Sequence, residues 1–141
     1  MDNPKKYHIL NHSSDLAIKV SGKSPSELFA NSAFALFDLL TDLNKVQVID
    51  QLPLEVEGVD RDDLMVNWMR ELLYLFQGSG FLLKECQIRD AKENFVRAEV
   101  RGEKFDPDRH EIQREIRSVF HHQCRMEKTG DQWTARIAFE V

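Results

Sequence analysis

The chain of 141 residues has little cysteine and no long apolar run, and each absence excludes a class of protein. Cys86 and Cys124 lack the short spacing of a zinc knuckle or a redox pair, so we expect buried, reduced thiols within strands. No run approaches the roughly 18 apolar residues of a membrane span, and residues 1–6 lack the apolar core of a signal peptide. The sequence therefore predicts a cytoplasmic protein.

An excess of positive charge is also absent. The chain has 19 Lys and Arg residues against 24 Asp and Glu residues, which gives a formal net charge of -5. A protein that binds nucleic acid broadly through phosphates needs an excess of basic side chains on one face. We therefore expect any contact with RNA to be local or to be made through a partner protein.

Motifs of autonomous catalysis are missing as well. Ser13 and Ser14 have no elbow glycines around them, and the chain has no glycine-rich phosphate loop. His121 and His122 are neighbours on a predicted strand and would point to opposite faces, and neither predicted helix contains a pair of histidines at four-residue spacing. A zinc site is therefore not predicted. A stand-alone metal-dependent hydrolase is the weakest alternative, because no general base can be named.

Two helices are predicted from their start signals and apolar stripes. Residues 24–27 combine an N-cap serine, a proline at the first helical position and a glutamate three residues after the cap, and this helix should extend to about Asp42. Asp60 is the predicted N-cap of the second helix, and Gly78 and Gly80 are predicted to end it. The methionines and aromatic residues of the second helix recur at helical spacing, so we expect them in the core rather than around a cofactor.

The remaining segments alternate apolar and polar residues, as half-buried antiparallel strands do. Their apolar positions are Leu16, Ile18 and Val20; Val46 and Val48; Leu54 and Val56; Phe95, Val96, Ala98 and Val100; and Trp133, Ala135, Ile137 and Phe139. Together these elements predict one α+β domain over residues 1–141, with two layers in which a mixed or antiparallel sheet packs against two main helices. Two lobes that share one sheet are the alternative arrangement.

A predicted hairpin relates the last two strands. Its polar loop, residues 127–131, contains a glycine. The first strand of the hairpin would direct four residues toward the core: Ile116, Phe120, Cys124 and Met126. Arg117 and Val119 would then lie on the other face, and a turn near residues 128 and 129 places Arg117 opposite Glu140, or diagonal to it if the register shifts by two. An exposed ion pair of little energetic value is the alternative interpretation of this pairing.

Acidic residues occur on the polar side of the first and last of these strands, at Asp15 and Glu140. The sequence ends at Val141, so its α-carboxylate is expected near Glu140. Carboxylates that converge and stay ionised repel one another, and a hard divalent cation relieves that repulsion. A metal site is therefore one hypothesis, and ordinary solvated strand ends are the other.

Three histidines are candidates for supporting roles. His12 lies three residues before Asp15, where it is placed to orient that carboxylate or to cap the strand entry. His122 shares the apolar face of its strand, so a hydrogen-bonded core or rim histidine is the expectation and a functional contact the alternative. His110 follows the turn-forming residues 106–109 and is expected to fasten that loop to the domain.

Taken in order, these motifs resemble the archease family, whose members are small cytosolic partners of the RNA-splicing ligase that joins tRNA halves. The matching motifs are His12-Ser13-Ser14-Asp15 with Ile18, the stretch 64–76 continuing to Gly80-Phe81, the run 102–110, Glu115-Ile116-Arg117 through His122, and residues 133–136 leading to the terminal acidic-aliphatic pair. Each motif is weak alone, but their order and spacing cover nearly the whole chain. The resemblance implies a two-layer fold.

The resemblance also implies a function. A metal site would be formed by Asp15, Glu140 and Val141, the last through its terminal carboxylate or backbone oxygen, and calcium is the metal associated with the family. Oxygen ligands of this kind suit magnesium or manganese as well. The implied role is a protein cofactor, not an enzyme, that promotes guanylylation and multiple turnover of the ligase. RNA would be contacted only indirectly, through the ligase, while Arg117, His12 and His122 would contact the partner or a phosphate.

Two departures from the family pattern affect this site. Glu140 stands where aspartate is usual, and its extra methylene carries the carboxylate farther from the backbone. Arg117 stands where lysine is usual and replaces a point donor with a planar fork. A different class of function remains open: a chaperone-like modulator of other RNA-processing enzymes, such as tRNA methyltransferases, in which the acidic residues are only structural.

Overall fold

A computed structural model describes residues 6–10, 15–121 and 124–141, which form two helices and eight strands. In chain order these are β1 (Tyr7–Leu10), β2 (Leu16–Gly22), α1 (Pro25–Leu40), β3 (Asp50–Glu57), α2 (Arg61–Ser79), β4 (Phe81–Ala91), β5 (Phe95–Lys104), β6 (Ser118–Val119), β7 (Arg125–Thr129) and β8 (Gln132–Glu140). Within these described ranges, neither helix combines the length and the apolar character needed to cross a membrane.

The predicted start of α1 is confirmed, and its end comes two residues early. Ser24 is the N-cap, and its hydroxyl accepts a hydrogen bond of 3.1 Å from the Glu27 N–H. Thr41 has an extended backbone, with φ -156°, so the helix stops at Leu40. Asp42 instead caps a short 3₁₀ turn, where its side chain accepts from the Asn44 N–H. The Asp42 side chain therefore stabilises a separate turn at the point where the helix would otherwise continue.

Both ends of α2 are formed by residues that the sequence identified. The Asp60 carboxylate accepts a hydrogen bond of 2.9 Å from the Asp63 N–H, as an N-cap does. Gly80 ends the helix in the left-handed region, with φ 72°, where glycine carries no Cβ penalty. Gly78 is still helical, so Gly80 alone provides the stop.

The strands form two antiparallel sheets rather than one shared sheet. In the described residues the larger sheet has the order β1-β2-β8-β6, with β7 also paired to β8, and the smaller sheet has the order β3-β5-β4. The predicted α+β class, with antiparallel strands and two main helices, is therefore confirmed. The core lies where the helices meet the sheets, and fully buried Trp68 donates its ring N–H to the Phe29 carbonyl at 3.0 Å. As predicted, Met65, Trp68 and Met69 of α2 are core residues, and Phe76 packs against the core.

The strand predicted at Val46 and Val48 does not form. The Val46 N–H closes the 3₁₀ turn on the Leu43 carbonyl, and the Gln47 N–H donates to the Glu103 carboxylate at 2.7 Å. These donors are therefore satisfied outside a ladder. Val46 is buried at 3% exposure but Val48 is 48% exposed, so the two valines do not share one buried face as they would in a strand.

The register of the last strands also differs from the prediction. The hairpin turns at Gly130, with φ 61°, and pairs Thr129 with Gln132 instead of turning near residues 128 and 129. If the pairing of β7 with β8 continued to the end of β8, His121 would lie opposite Glu140. Ser118 occupies that position instead, three residues earlier in the chain, because β6 and β7 are separate strands.

Val119, which was predicted to face away from the core, is buried, and Ala138 on β8 is buried as well. Val119 pairs with Phe139 and is 1% exposed, because β6 has the opposite facing to the one predicted. Ala138 has no exposure although it lies on the outer face of β8. The outer face of the larger sheet is thus partly covered near its Glu140 end.

Candidate functional site

Asp15 and Glu140 lie at the same edge of the larger sheet. The last pair of the β2–β8 ladder at this edge is Leu16 with Phe139. Asp15 directly precedes Leu16, and Glu140 directly follows Phe139. Residues in these flanking positions lie beside each other on one face of neighbouring strands. The ladder itself therefore brings the two acidic residues together.

Ser118 adds a hydroxyl to this edge. It pairs with Glu140 across β6 and β8, and its hydroxyl donates a hydrogen bond of 3.0 Å to the Glu140 Oε1 atom. The Arg117 N–H donates to the Glu140 carbonyl at 2.7 Å, which extends the ladder by one bond. We call Asp15, Ser118, Glu140 and Val141 the acidic edge. Glu140 and Val141 are exposed and Asp15 is half-buried, so the edge is open to a partner.

Arg117 does not lie opposite Glu140; that prediction is wrong by one residue, because Ser118 takes the position. The Arg117 guanidinium instead pairs with the Glu115 carboxylate at 3.0 Å, and the two side chains are 63% and 74% exposed. Exposed ion pairs of this kind contribute about 0 to 1 kcal/mol. The Arg117 guanidinium can therefore leave Glu115 for another anion at little cost.

Side chains of α2 hold the segment that leads into β6. The Arg70 guanidinium donates two hydrogen bonds to the Val119 carbonyl, at 3.3 and 3.0 Å. The Gln77 amide donates to the Ile116 and Arg117 carbonyls, at 3.3 and 3.0 Å. The sequence analysis missed both side chains because it treated α2 only as a core helix. Their seven-residue spacing, which places them on one helix face, was the available signal.

The start of α2 holds the chain on the other side of β6. The His121 ring contacts the Asp63 carboxylate at 2.8 Å, and the Asp62 carboxylate accepts from the Met126 N–H at 2.7 Å. The hydrogen bonds from His121 and from the Val59 N–H lower the pKa of Asp63. His12 and His122 lie outside the described residues, so their proposed contacts stay predictions.

A buried carboxylate fastens the loop after β5, a role that the sequence analysis assigned to His110 alone. Glu103 is 3% exposed and accepts hydrogen bonds from the Gln47 N–H, the Arg109 guanidinium and His110. The His110 Nδ1 atom accepts from the Asp106 N–H at 2.9 Å. Burial alone would raise the pKa of Glu103, but these hydrogen bonds lower it to about 2. The cluster is structural, as expected for His110.

The acidic edge presents oxygen atoms, which are the ligands that hard divalent cations prefer. In the part of the chain that the structure describes, no three His, Cys, Asp or Glu residues form a metal-binding group. The edge offers two carboxylates, the Ser118 hydroxyl and the oxygens of Val141, whereas calcium takes six to eight oxygen ligands. The donor set is chemically suitable for calcium, magnesium or manganese, and waters or a partner would supply the remaining ligands.

The cysteines do not offer a softer site. Burial raises the pKa of both thiols, Cys86 and Cys124, to about 12, so they stay protonated at neutral pH. Both cysteines are free, as predicted. Cys124 is buried but lies just before β7, and Cys86 lies in β4 but is only half-buried, which corrects the expectation that both are buried within strands.

Comparison with known proteins gives consistent results. The model of the Archease protein family matches residues 7–141. Protein archease of Methanopyrus kandleri is 31% identical over 135 residues, which cover 94% of this chain and 96% of that protein. The solution structure of Methanobacterium thermoautotrophicum protein 1598 has a TM-score of 0.84 at 23% identity and covers 98% of this chain and 100% of that one.

A crystal structure from Thermotoga maritima, described as "an archease, possible chaperone", shares the fold with a TM-score of 0.63 at 16% identity. It covers 100% of this chain and 98% of that one. At these identities the two solved structures support the fold, whereas the family model and the Methanopyrus relative support membership.

Proposed function

The chain belongs to the archease family, and from this membership we propose that it is an accessory factor of an RNA-splicing ligase. In this role it binds the ligase in the cytoplasm, promotes guanylylation of the ligase and allows the ligase to turn over repeatedly. It serves as a protein cofactor rather than as an enzyme. The observation that carries the proposal is the acidic edge, where the β2–β8 ladder brings Asp15 and Glu140 together.

A divalent cation would connect the acidic edge to the ligase. Asp15, Glu140 and Val141 would hold it, and calcium is the metal that best suits their oxygens, with magnesium and manganese as alternatives. An incomplete coordination shell leaves positions for ligands from the partner. The metal would supply positive charge at the nucleotide phosphates, where charge stabilisation matters most in phosphoryl chemistry.

Ser118 compensates for the longer side chain of Glu140. Its hydroxyl bonds one carboxylate oxygen, Oε1, and so fixes the direction of the carboxylate while the second oxygen stays available. Supporting hydrogen bonds of this kind orient metal ligands. The extra methylene of Glu140 relative to aspartate is therefore held in one orientation at the edge.

Arg117 would supply a cation beside this site. Its side chain is 63% exposed and, among the described residues, forms an ion pair with the exposed Glu115 carboxylate. A guanidinium can bind a phosphate or a ligase carboxylate through two parallel hydrogen bonds. Contacts by His12 and His122 with the partner would complete the surface.

The test is multiple-turnover RNA ligation by the cognate ligase with GTP and divalent metal, comparing no addition, wild type, Asp15→Asn and Glu140→Gln. Exposed Glu55, on the smaller sheet, provides the matched control Glu55→Gln, which removes the same charge elsewhere. We expect stimulation by wild type and by the control, and loss of stimulation with both edge variants. Equal stimulation by Asp15→Asn would exclude the acidic edge from the mechanism.

The alternative function is that of a chaperone-like modulator of other RNA-processing enzymes, such as tRNA methyltransferases. The Thermotoga maritima structure is described as a possible chaperone, which supports this alternative function. In this case the acidic edge would be structural. No stimulation of the ligase by wild type under any metal condition would favour this alternative.

A further inference from the structure

The shortest strand of the larger sheet supplies one residue of the acidic edge. β6 consists of Ser118 and Val119 and is held on β8 by two residue pairs, Ser118 with Glu140 and Val119 with Phe139. Strands in globular proteins usually have about three to ten residues. A ladder of two pairs makes few bonds of its own, so the position of Ser118 opposite Glu140 requires support from outside the sheet.

A competing register is available to this part of the chain. The pairing of β7 with β8, continued to the end of β8, would place His121 opposite Glu140. The side chain beside Glu140 would then be an imidazole, whereas in the observed register it is the Ser118 hydroxyl. Burial of Val119, at 1% exposure, favours the observed register. The composition of the acidic edge therefore depends on which register the chain adopts.

Three side chains on one face of α2 hold the chain in the observed register. Asp63, Arg70 and Gln77 are spaced by seven residues, or about two helical turns, and so lie along one face. Gln77 donates to the carbonyls of residues 116 and 117, and Arg70 donates twice to the carbonyl of residue 119. The Asp63 carboxylate contacts the His121 ring. These contacts extend over about 21 Å of helix.

Four of these hydrogen bonds are donated to backbone carbonyls. Such bonds fix the position of the main chain, and the position of the main chain along β8 is the register. α2 is a rigid reference for them because its opposite face lies in the core, where Trp68, Met69 and Leu72 have no exposure. Arg70 and Gln77 are themselves exposed residues, so the core does not require a guanidinium or an amide at either position.

We propose that Arg70 and Gln77 are positioning residues of the acidic edge, because they fix β6 on β8 and so hold the Ser118 hydroxyl against Glu140. The inference rests on the proposed function, in which this edge holds a cation. The Ser118 hydroxyl donates to the Glu140 Oε1 atom at 3.0 Å and orients the carboxylate. Removing a group that orients a metal ligand typically weakens metal binding about 10- to 100-fold. Loss of the α2 contacts should therefore weaken cation binding, although Arg70 and Gln77 are not ligands.

Amide hydrogen exchange, followed by NMR, tests the register without any cation. The variant Arg70→Met/Gln77→Met keeps long side chains that suit a helix but removes the donors of all four bonds. The Arg117 N–H bonds the Glu140 carbonyl at 2.7 Å, and the Phe120 N–H bonds a β8 carbonyl at 2.9 Å. We call these two groups the reporter amides. Both should exchange at least about tenfold faster in the variant, whereas the amides of the β2–β8 ladder should keep their rates.

Asn31 provides the matched control. Its amide also joins a helix to a strand of the larger sheet, since it donates to the Ser21 carbonyl of β2 at 2.8 Å. Ser21 lies near the end of β2 that is remote from Asp15. Asn31→Leu therefore removes the same kind of bond without reaching the acidic edge, and exchange of the reporter amides should not change.

Calorimetric titration of the chain alone with calcium tests the consequence for the acidic edge. Wild type and Asn31→Leu should bind calcium with equal affinity, and Arg70→Met/Gln77→Met should bind it at least about tenfold more weakly. Arg70→Lys keeps a cationic donor for the Val119 carbonyl, so it should bind calcium as wild type does. If the double variant does not fold, Gln77→Met alone removes two of the four bonds and allows the same comparison with less loss of stability.

Three results would overturn the inference. The first is unchanged exchange of the reporter amides in the double variant, which would show that β6 keeps its register without α2. The second is unchanged calcium affinity in a variant whose reporter amides exchange faster. The third is an equal loss of affinity in Asn31→Leu, which would indicate a general effect of stability.

The two measurements also separate this inference from the proposed function. A wild type that binds no calcium, magnesium or manganese would contradict the proposed role of the acidic edge as a cation site. The exchange rates of the reporter amides would still decide whether α2 sets the register of β6.

Discussion

The buried Glu103 cluster predicts a defined loss of stability in acid. Folding lowers the pKa of Glu103 from 4.5 to about 2. A depressed carboxyl pKa stabilises the fold above the pKa of the unfolded chain, and that contribution is lost as pH falls through the folded pKa. Such a shift corresponds to about 3 kcal/mol at neutral pH. Because Arg109 is 40% exposed, water screens part of its charge, and we expect about 2 kcal/mol.

Urea unfolding of Glu103→Gln measures this contribution. Glutamine keeps an acceptor for the Gln47 N–H but loses the charge that Arg109 requires. The variant should be about 2 kcal/mol less stable than wild type at pH 7, and the difference should shrink from about pH 5 toward pH 2. The exposed control Glu55→Gln should change stability by less than about 0.5 kcal/mol. A Glu103→Gln difference that equals the control, or that is the same at pH 7 and pH 3, would refute the reasoning.

Further predictions concern single positions. Asp60→Ala removes the N-cap of α2 and should cost about 1 kcal/mol in urea unfolding; an unchanged midpoint would show that another group caps the helix. Gly102→Ala would push a Cβ into the Leu82 carbonyl oxygen, so we expect a loss of at least about 2 kcal/mol, whereas Gly78→Ala, beside exposed Tyr74, should be neutral or stabilising in the same assay.

Local signals in the sequence predicted the elements of the fold well where one side chain decides the outcome. The caps at Ser24 and Asp60 and the glycine stop at Gly80 act within one helical turn, so the sequence contains all the interacting groups. The strand predicted at Val46 failed because the Gln47 N–H bonds to Glu103, a residue 56 positions away. Such a partner cannot be inferred from local alternation.

The sequence analysis singled out the two carboxylates of the candidate site but not the residues beside them. Asp15 and Glu140 flank one ladder pair of β2 and β8, a pairing of distant strands that the alternation within each strand did not predict. The residue opposite Glu140 depended on the break between β6 and β7, and the continuous strand that we predicted placed Arg117 there instead of Ser118. Interruptions of a strand depend on tertiary contacts, here the bonds from Arg70 and Gln77, which periodicity does not contain.

The most direct test of the proposed function is the rate at which the ligase becomes guanylylated with labelled GTP and divalent metal, measured with the chain at a small fraction of the ligase concentration. We predict that wild type accelerates guanylylation of all the ligase and that Asp15→Asn does not. Equal acceleration by wild type and Asp15→Asn would contradict a role for the acidic edge in activating the ligase.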